Sequence, residues 1–354
     1  MEPLYLTIAL DTPLDRLFDY RWQPVSADDA SEPLLPQIGQ IAIVPFGRQE
    51  LAGVIVGIRQ QTEIAPDKIK DVLAVRHQCP PVSAQWLDLC RFAADYYQRP
   101  LGEVAVPALP RNLRALKPVS LDRNLKKLAK LQKALKQDQA RAGAEVDPDQ
   151  PAISGAKALN REQQTAVDQI AGQAGFAAFL LHGVTGSGKT EVYLQATAQV
   201  LTREPDSQVL ILVPEINLTP QLEAHFRARF AGIQIATLHS GMAEGERLLH
   251  WLAAHTGQAR IVLGTRLAIL SSLPQLRLIV IDEEHDPSYK QQEGLRYSAR
   301  DLAVWRAHQL SIPVVLGSAT PSLETWQHSK AGRYRKLELK ERAVKDAVLP
   351  IVKI

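Results

Sequence analysis

From Leu159 onward the sequence repeats one pattern six times. The runs "AAFLLHG" (177–183), "QVLILVP" (208–214), "QIATLH" (234–239), "ARIVLG" (259–264), "RLIVID" (277–282) and "IPVVLGS" (312–318) are almost continuously apolar, and helical patterns separate them. A strand with no polar alternation has no face for water. These runs therefore predict an α/β unit whose mainly parallel sheet is covered by helices on both sides.

The first quarter of the chain reads differently. "LYLTIAL", "FDYRW", "GQIAIVPFG", "ELAGVIVGI" and "DVLAVR" are short strands punctuated by Gly and Pro, the spacing of a small all-β barrel or sandwich. A helix follows in "SAQWLDLCRFAADYYQ": Trp86, Leu89, Cys90, Ala93, Ala94 and Tyr97 fall on one face, and Ser83 stands at the N-cap position. Between the two units, residues 111–141 hold ten Lys and Arg against Asp122 and Asp138, an excess of eight positive charges in a chain whose net charge is +3. Leu125, Leu128, Leu131 and Leu135 line one side of this helical stretch. Its basic sides read either as a solvated surface or as a track for a nucleic-acid backbone. "AGAEVDPDQPAISGAKA" then reads as a linker.

The two cysteines, Cys79 and Cys90, have no Cys or His partner at metal-ligand spacing. They predict packed thiols, a reducing compartment and no zinc site in these residues. The N-terminus lacks a basic stretch followed by a long apolar core, and no run approaches ~18 apolar residues. The expected location is cytoplasmic, without a membrane partner.

Two motifs carry chemistry. "GVTGSGKT", Gly183, Val184, Thr185, Gly186, Ser187, Gly188, Lys189 and Thr190, fits G-x-x-x-x-G-K-[ST] between an expected strand and an expected helix. Backbone N–H groups at such a turn curl round phosphate oxygens, Lys189 reaches the outer phosphates, and Thr190 is placed to ligate Mg²⁺. The second motif is "DEEH", 282–285, at the end of a buried strand. Asp282 is placed to hold the same Mg²⁺ and Glu283 to orient and deprotonate the attacking water.

"GVTGSGKT", "DEEH" and "GSAT" (317–320), in this order, resemble the first motor lobe of superfamily 2 helicases. "LNREQ" is similar to their adenine-recognising element, which puts Gln163 on the base. "LVPEINLTPQ", "LHSG" and "GTR", with Arg266, resemble their DNA-tracking motifs. The longer runs "GVTGSGKTEVY", "IVIDEEHDPSYKQQEGLRYSARDLAV" and "LGSATPSLET" resemble the primosomal replication-restart helicases, as do the N-terminal "FDY" and "VPFG".

That resemblance implies a multi-domain organisation: a β domain binding the 3′ end of DNA at 1–110, a basic helix and linker at 111–158, a RecA-like P-loop lobe at 159–340, and the start of a connection to a second lobe at 341–354. A winged-helix module is expected between the first two units of the family, and 111–158 is short for one. The second lobe, with the family's arginine finger and zinc-binding insertion, falls outside these residues.

The implied activity is an ATP-dependent 3′-to-5′ DNA helicase that recognises stalled forks by the nascent 3′ end and starts primosome assembly. ATP and Mg²⁺ are the cofactors; single-stranded-DNA-binding protein and primosome components are the partners. The other reading is a fork-binding module without productive ATP turnover. Carried onto this sequence, Phe18, Asp19, Tyr20, Gly47 and Lys70 form the 3′-end pocket. Tyr289 and Tyr297 stack on bases, while Lys290, Arg296 and Arg300 meet phosphates. His285, Ser318 and Thr320 couple nucleotide state to DNA.

Overall fold

The computed structural model describes residues 3–24, 34–65, 67–116, 121–142 and 157–341. Residues 143–156 of the expected linker at 142–158 and residues 342–354 of the expected connection at 341–354 lie outside the described residues.

Five antiparallel strands open the chain: β1 (Leu4–Leu10), β2 (Phe18–Trp22), β3 (Ile41–Phe46), β4 (Gln49–Arg59) and β5 (Ala74–Val75), in the order β2-β1-β4-β3-β5. Period-two alternation sets the faces. Leu6, Ile8 and Leu10 of β1 join Tyr20, Trp22, Val44 and Ile55 in one buried cluster, whereas Thr7 and Asp19, paired across β1 and β2, point the other way. Phe46 pairs with Gln49, so Gly47 and Arg48 form a two-residue hairpin turn. Gly47 has φ +60°, the conformation such turns demand at little cost only from glycine, Asn or Asp.

Helix α1 (Ala84–Tyr97) starts where the sequence predicts, with the Ser83 side chain accepting from the Trp86 backbone N–H. Its apolar face joins the core of the second unit. The Trp86 indole N–H donates to the Leu270 carbonyl at 2.7 Å, and Phe92 stacks on Trp305 with centroids 4.2 Å apart. A second helix, α2 (Leu101–Ala108), follows where none was expected, since Gly102 and Pro107 argue against a helix. Gly102 is required by packing: a Cβ there would lie 1.7 Å from the Leu10 carbonyl oxygen. Pro107 falls in the last turn. The basic segment forms α3 (Leu121–Ala142), with Leu121 and Leu128 buried, Leu125 packed against the same core, and Arg123, Lys126, Lys127, Lys130 and Lys133 exposed.

The second unit holds seven parallel strands among the described residues: β6 (Ala177–Gly183), β7 (Gln208–Leu212), β8 (Ile235–Leu238), β9 (Ile261–Gly264), β10 (Leu276–Ile281), β11 (Pro313–Ser318) and β12 (Arg335–Leu339). Their order is β12-β6-β11-β10-β7-β9-β8. Six are the apolar runs of the sequence, and successive residues of each feed opposite cores. Leu210 and Leu212 of β7 belong to one, Val209 and Ile211 to the other. The seventh, β12, is a sheet edge with only Leu337 and Leu339 inward, so its polar composition hides it. Helices α4 (Arg161–Ala171), α5 (Lys189–Arg203), α6 (Pro220–Arg229), α7 (Glu244–His255), α8 (Ala299–Leu310) and α9 (Leu323–Lys330) complete this lobe. The carboxyl ends of β6, β11 and β10 are neighbours in the sheet, so the order alone brings "GVTGSGKT", "GSAT" and "DEEH" together.

Candidate nucleotide and nucleic-acid site

The turn after β6 has Gly186 and Gly188 at φ +82° and +85°, and Gly188 caps the fifteen-residue α5 without any side-chain hydrogen bond. The first N–H groups of α5 thus receive no side-chain cap from Gly188, and an anion is their natural partner. The Ser187 hydroxyl is buried with no hydrogen-bond partner, while Thr190, one residue past Lys189, is exposed. These features fit a nucleotide phosphate tail. Lys189 Nζ donates to the Gly183 carbonyl at 3.0 Å and stands 3.4 Å from Glu283 Oε1.

The three carboxylates that end β10 meet three different partners. Asp282 Oδ1 accepts from the Tyr193 hydroxyl at 3.1 Å. Burial first, and then the charge of Glu283, hold the Asp282 carboxyl above the ordinary carboxylate range, while Tyr193 and Lys189 pull it back. Glu283 faces Lys189 from a left-handed backbone conformation, φ +44°. Glu284 is 2% exposed and accepts from Ser322 N at 2.8 Å, Ser322 Oγ at 3.1 Å, Thr325 Oγ1 at 2.9 Å and Arg300 at 3.2 Å. It anchors the turn after β11. Arg300, expected on phosphate, is instead its counter-ion.

His285, Ser318 and Thr320 do come together. His285 Nδ1 lies 2.8 Å from Ser318 Oγ, His285 Nε2 3.4 Å from Thr320 Oγ1, and Ser318 Oγ accepts from Thr320 N at 3.0 Å. The imidazole also lies 3.7 Å from Glu283, so the cluster touches the carboxylate beside the phosphate loop.

Three expectations are corrected. Gln163 is 4% exposed, accepts from Asn160 N at 2.9 Å and donates to the Ser187 carbonyl at 2.9 Å. It completes a capping box and ties α4 to the phosphate loop rather than facing a base. Tyr289 and Tyr297 are 3% and 6% exposed. Their hydroxyls donate to the carbonyls of Asp282 at 2.6 Å and Arg266 at 3.4 Å, so neither ring offers a face to a base. Burial raises both phenols above their ordinary range, and both are neutral. Arg266 holds the loop from within through the Ser288 and Lys290 carbonyls, at 2.7 and 3.3 Å. Lys290 and Arg296 remain exposed.

In the N-terminal sheet Phe18 packs edge-on against Phe46, 5.2 Å between centroids, and Tyr20 is buried with its hydroxyl donating to the Pro45 carbonyl at 3.1 Å. Asp19 lies on the opposite face. It accepts from Thr7 at 2.8 Å and Thr62 at 3.2 Å, while the neighbouring Arg21 pairs with Asp71 instead. Gly47 and Lys70 are exposed. The five residues thus occupy two faces of one sheet corner.

Tyr193 is the residue that sequence reasoning missed. It reaches Asp282 across Gly317, where a Cβ would come within 1.5 Å of its hydroxyl. The glycine of "GSAT" was a signal for such a close approach. Cys79 and Cys90 are buried free thiols, the first pushed up to about 12 by desolvation. Among the described residues no helix is long and apolar enough to cross a membrane.

A phosphate-loop lobe with DEEH and GSAT at adjacent strand ends defines a helicase motor domain. Residues 160–328 match the DEAD/DEAH box helicase family, and residues 7–110 match a family described as the 3′DNA-binding domain (3′BD). Three replication restart proteins PriA are similar to this chain, two of them along nearly all of it. That of Haemophilus influenzae is 36% identical over 97% of this chain and 52% of its own length. That of Treponema pallidum is 33% identical over 97% and 48%, and that of Bacillus subtilis is 49% identical over 50% and 21%. The chain belongs to the PriA family. It spans about half the length of the Haemophilus and Treponema relatives and matches their N-terminal portion.

Proposed function

We propose that this chain is the DNA-end-recognising and first motor portion of an ATP-dependent 3′-to-5′ helicase of replication restart. The single observation that carries the reading is the Lys189–Glu283 approach of 3.4 Å, which puts the phosphate-loop cation against the carboxylate after Asp282. Bound ATP supplies the phosphoanhydride whose hydrolysis drives the motor, with Mg²⁺ neutralising its charge. Lys189 then exchanges the Gly183 carbonyl and Glu283 for phosphate oxygens, and the N–H groups at the start of α5 donate to the same anion. Release of Glu283 from Lys189 leaves a carboxylate able to take a proton from water. Thr190 and Asp282 would hold the Mg²⁺, which would neutralise phosphate charge, and His285 with Ser318 and Thr320 relays the state of Glu283 toward the turn after β11.

At the N-terminal unit, Asp19 with the exposed Gly47 and Lys70 takes the free 3′ end of a branched DNA, while Phe18 and the buried Tyr20 support the same strand from its opposite face. Lys290 and Arg296 meet the backbone of the strand that the motor tracks, and the exposed lysines of α3 add sequence-independent attraction. The partners that fit are stalled forks and, by family, single-stranded-DNA-binding protein and primosome components. The test is Lys189→Ala. Mg-ATP binding should be lost while affinity for a fork with a free 3′ end stays within about twofold. Equal loss of both would reject separate nucleotide and DNA sites.

A further inference from the structure

Lys290 and Ser298 pair as an isolated antiparallel bridge, and Gln291 N donates to the Tyr297 carbonyl at 2.9 Å. These contacts make Lys290 and Ser298 the two stems of the loop that follows DEEH. Tyr97, the last residue of α1, touches both. Its hydroxyl accepts from Ser298 N at 3.0 Å, and Lys290 Nζ lies 5.3 Å from its ring centroid. Tyr289, the residue before Lys290, donates its hydroxyl to the Asp282 backbone carbonyl at 2.6 Å. Ser298 itself caps α8, its side chain accepting from Asp301 N.

The other end of this contact leads into the DNA-end unit. α1 ends at Gln98 in a left-handed turn, and α2 begins three residues later. Gly102 of α2 lies directly on the Leu10 backbone of β1, the strand that carries Thr7 opposite Asp19. Close-packed backbone transmits displacement with little slack. Farther along α1, the Trp86–Leu270 hydrogen bond and the Phe92–Trp305 stack fix the helix to the motor. A shift of β1 is thereby directed to the C-terminal end of α1, where Tyr97 sits.

We propose that Tyr97 is the positioning residue through which DNA in the N-terminal unit sets the loop stems and, through them, the Asp282 strand end. This rests on the proposed function above, since it supplies that site's regulation. The sequence motifs hold no trace of it, because Tyr97 lies outside both of them.

The test uses the 354-residue chain, a fluorescent ATP analogue with Mg²⁺, and a short duplex with a recessed 3′-hydroxyl. Coupling of two sites typically changes affinity 5- to 150-fold, and reciprocally. Wild type is expected to bind the analogue at least about fivefold tighter with saturating DNA. Tyr97→Phe keeps the ring and the Lys290 contact but loses the acceptor for Ser298 N. Its ratio should fall below about twofold while each ligand alone binds as in wild type. A merely structural role would lower both affinities and leave their ratio unchanged.

Hydrogen exchange provides a readout that needs no nucleotide: DNA should slow amides of 290–298 in wild type and not in Tyr97→Phe. An equal ratio in wild type, Tyr97→Phe and Tyr97→Leu, or no effect of DNA on 290–298 in wild type, overturns the proposal. Analogue binding that survives Lys189→Ala would instead overturn the nucleotide reading, and the exchange experiment would still judge Tyr97.

Discussion

The Tyr193 hydroxyl donates to Asp282 Oδ1 at 3.1 Å across a gap that exists because residue 317 is glycine. This bond favours the ionised carboxylate, whereas burial and Glu283 disfavour it, and the balance leaves Asp282 harder to ionise than an ordinary aspartate. A carboxyl raised in the folded state is destabilising at neutral pH. That penalty vanishes below the ordinary unfolded value, where Asp282 is protonated in both states, and grows as pH rises through the folded value.

Asp282→Asn removes the charge and keeps an oxygen for Tyr193. It should therefore stabilise the motor lobe at pH 7 by about 1 kcal/mol, a melting-temperature rise of roughly 2–4 °C, while abolishing Mg-nucleotide binding. Thermal unfolding at pH 7 and again near pH 3 checks the sign, since the advantage should disappear in acid. In Tyr193→Phe the acid limb of Mg-nucleotide binding should move to higher pH, because one favourable contact with the carboxylate is gone. An unmoved limb would remove Tyr193 from the site.

Glu284 gives a second expectation. Four donors converge on its buried carboxylate, and truncation leaves Ser322 N and Thr325 Oγ1 without this acceptor and Arg300 with hydrogen bonds to Ser322 Oγ and Asp301. Glu284→Ala should cost about 3 kcal/mol, the low end for breaking a buried ion pair, since Arg300 keeps some contact with water. Denaturant unfolding measures this directly. Glu284→Gln should recover part of the loss, because its carbonyl oxygen still accepts.

How much of this was legible in the sequence depended on where the deciding neighbours lie. Six motor strands could be read because burial on both faces leaves one signature, a continuous apolar run. β12 could not, because an edge strand buries only Leu337 and Leu339. Helix α2 was hidden by Gly102, whose reason is the Leu10 carbonyl more than ninety residues earlier in the chain. The phosphate loop is a local motif, so its residues were named correctly as a turn. "SYKQQEGLRYS", in contrast, reads as an exposed aromatic loop, yet its rings are buried. Tyr289 bonds the Asp282 backbone seven residues back, while Arg266 and Tyr97, distant in sequence, hold Tyr297 and the Ser298 N–H. Gln163 failed for the same reason, since the Ser187 carbonyl it meets is twenty-four residues away.

That burial separates two kinds of residue in the same loop. Arg296 is exposed, so Arg296→Ala should weaken single-stranded DNA binding and lower the slope of log K against log[salt] by about 1, the mark of one lost phosphate contact. Tyr289→Phe leaves a buried ring in place and should keep both affinity and slope within error. Binding titrations at several salt concentrations compare the two. A loss of ~1–3 kcal/mol in Tyr289→Leu, which unlike Phe has no ring to stack, would reinstate stacking.

The last expectation concerns the end of the strand. Asp19 Oδ1 accepts from Thr7 and Oδ2 from Thr62, and among the described residues no salt bridge reaches the carboxylate, the neighbouring Arg21 being paired with Asp71. Each oxygen retains one lone pair, which a terminal 3′-hydroxyl can satisfy in a charge-assisted bond. A 3′-phosphate meets like charge at the same place and is rejected by repulsion. Wild type should prefer a fork ending in 3′-hydroxyl over one ending in 3′-phosphate by ~1–3 kcal/mol at fixed salt. Asp19→Asn removes the repulsion as well as the charged acceptor. The preference should therefore shrink from both directions, with weaker binding of the hydroxyl and tighter binding of the phosphate. Thr7→Val and Thr62→Val test the support beneath it. With fewer donors holding Asp19, each should lower the preference without improving the phosphate, because the charge remains. Wild-type affinity indifferent to the 3′ group would remove Asp19 from the pocket.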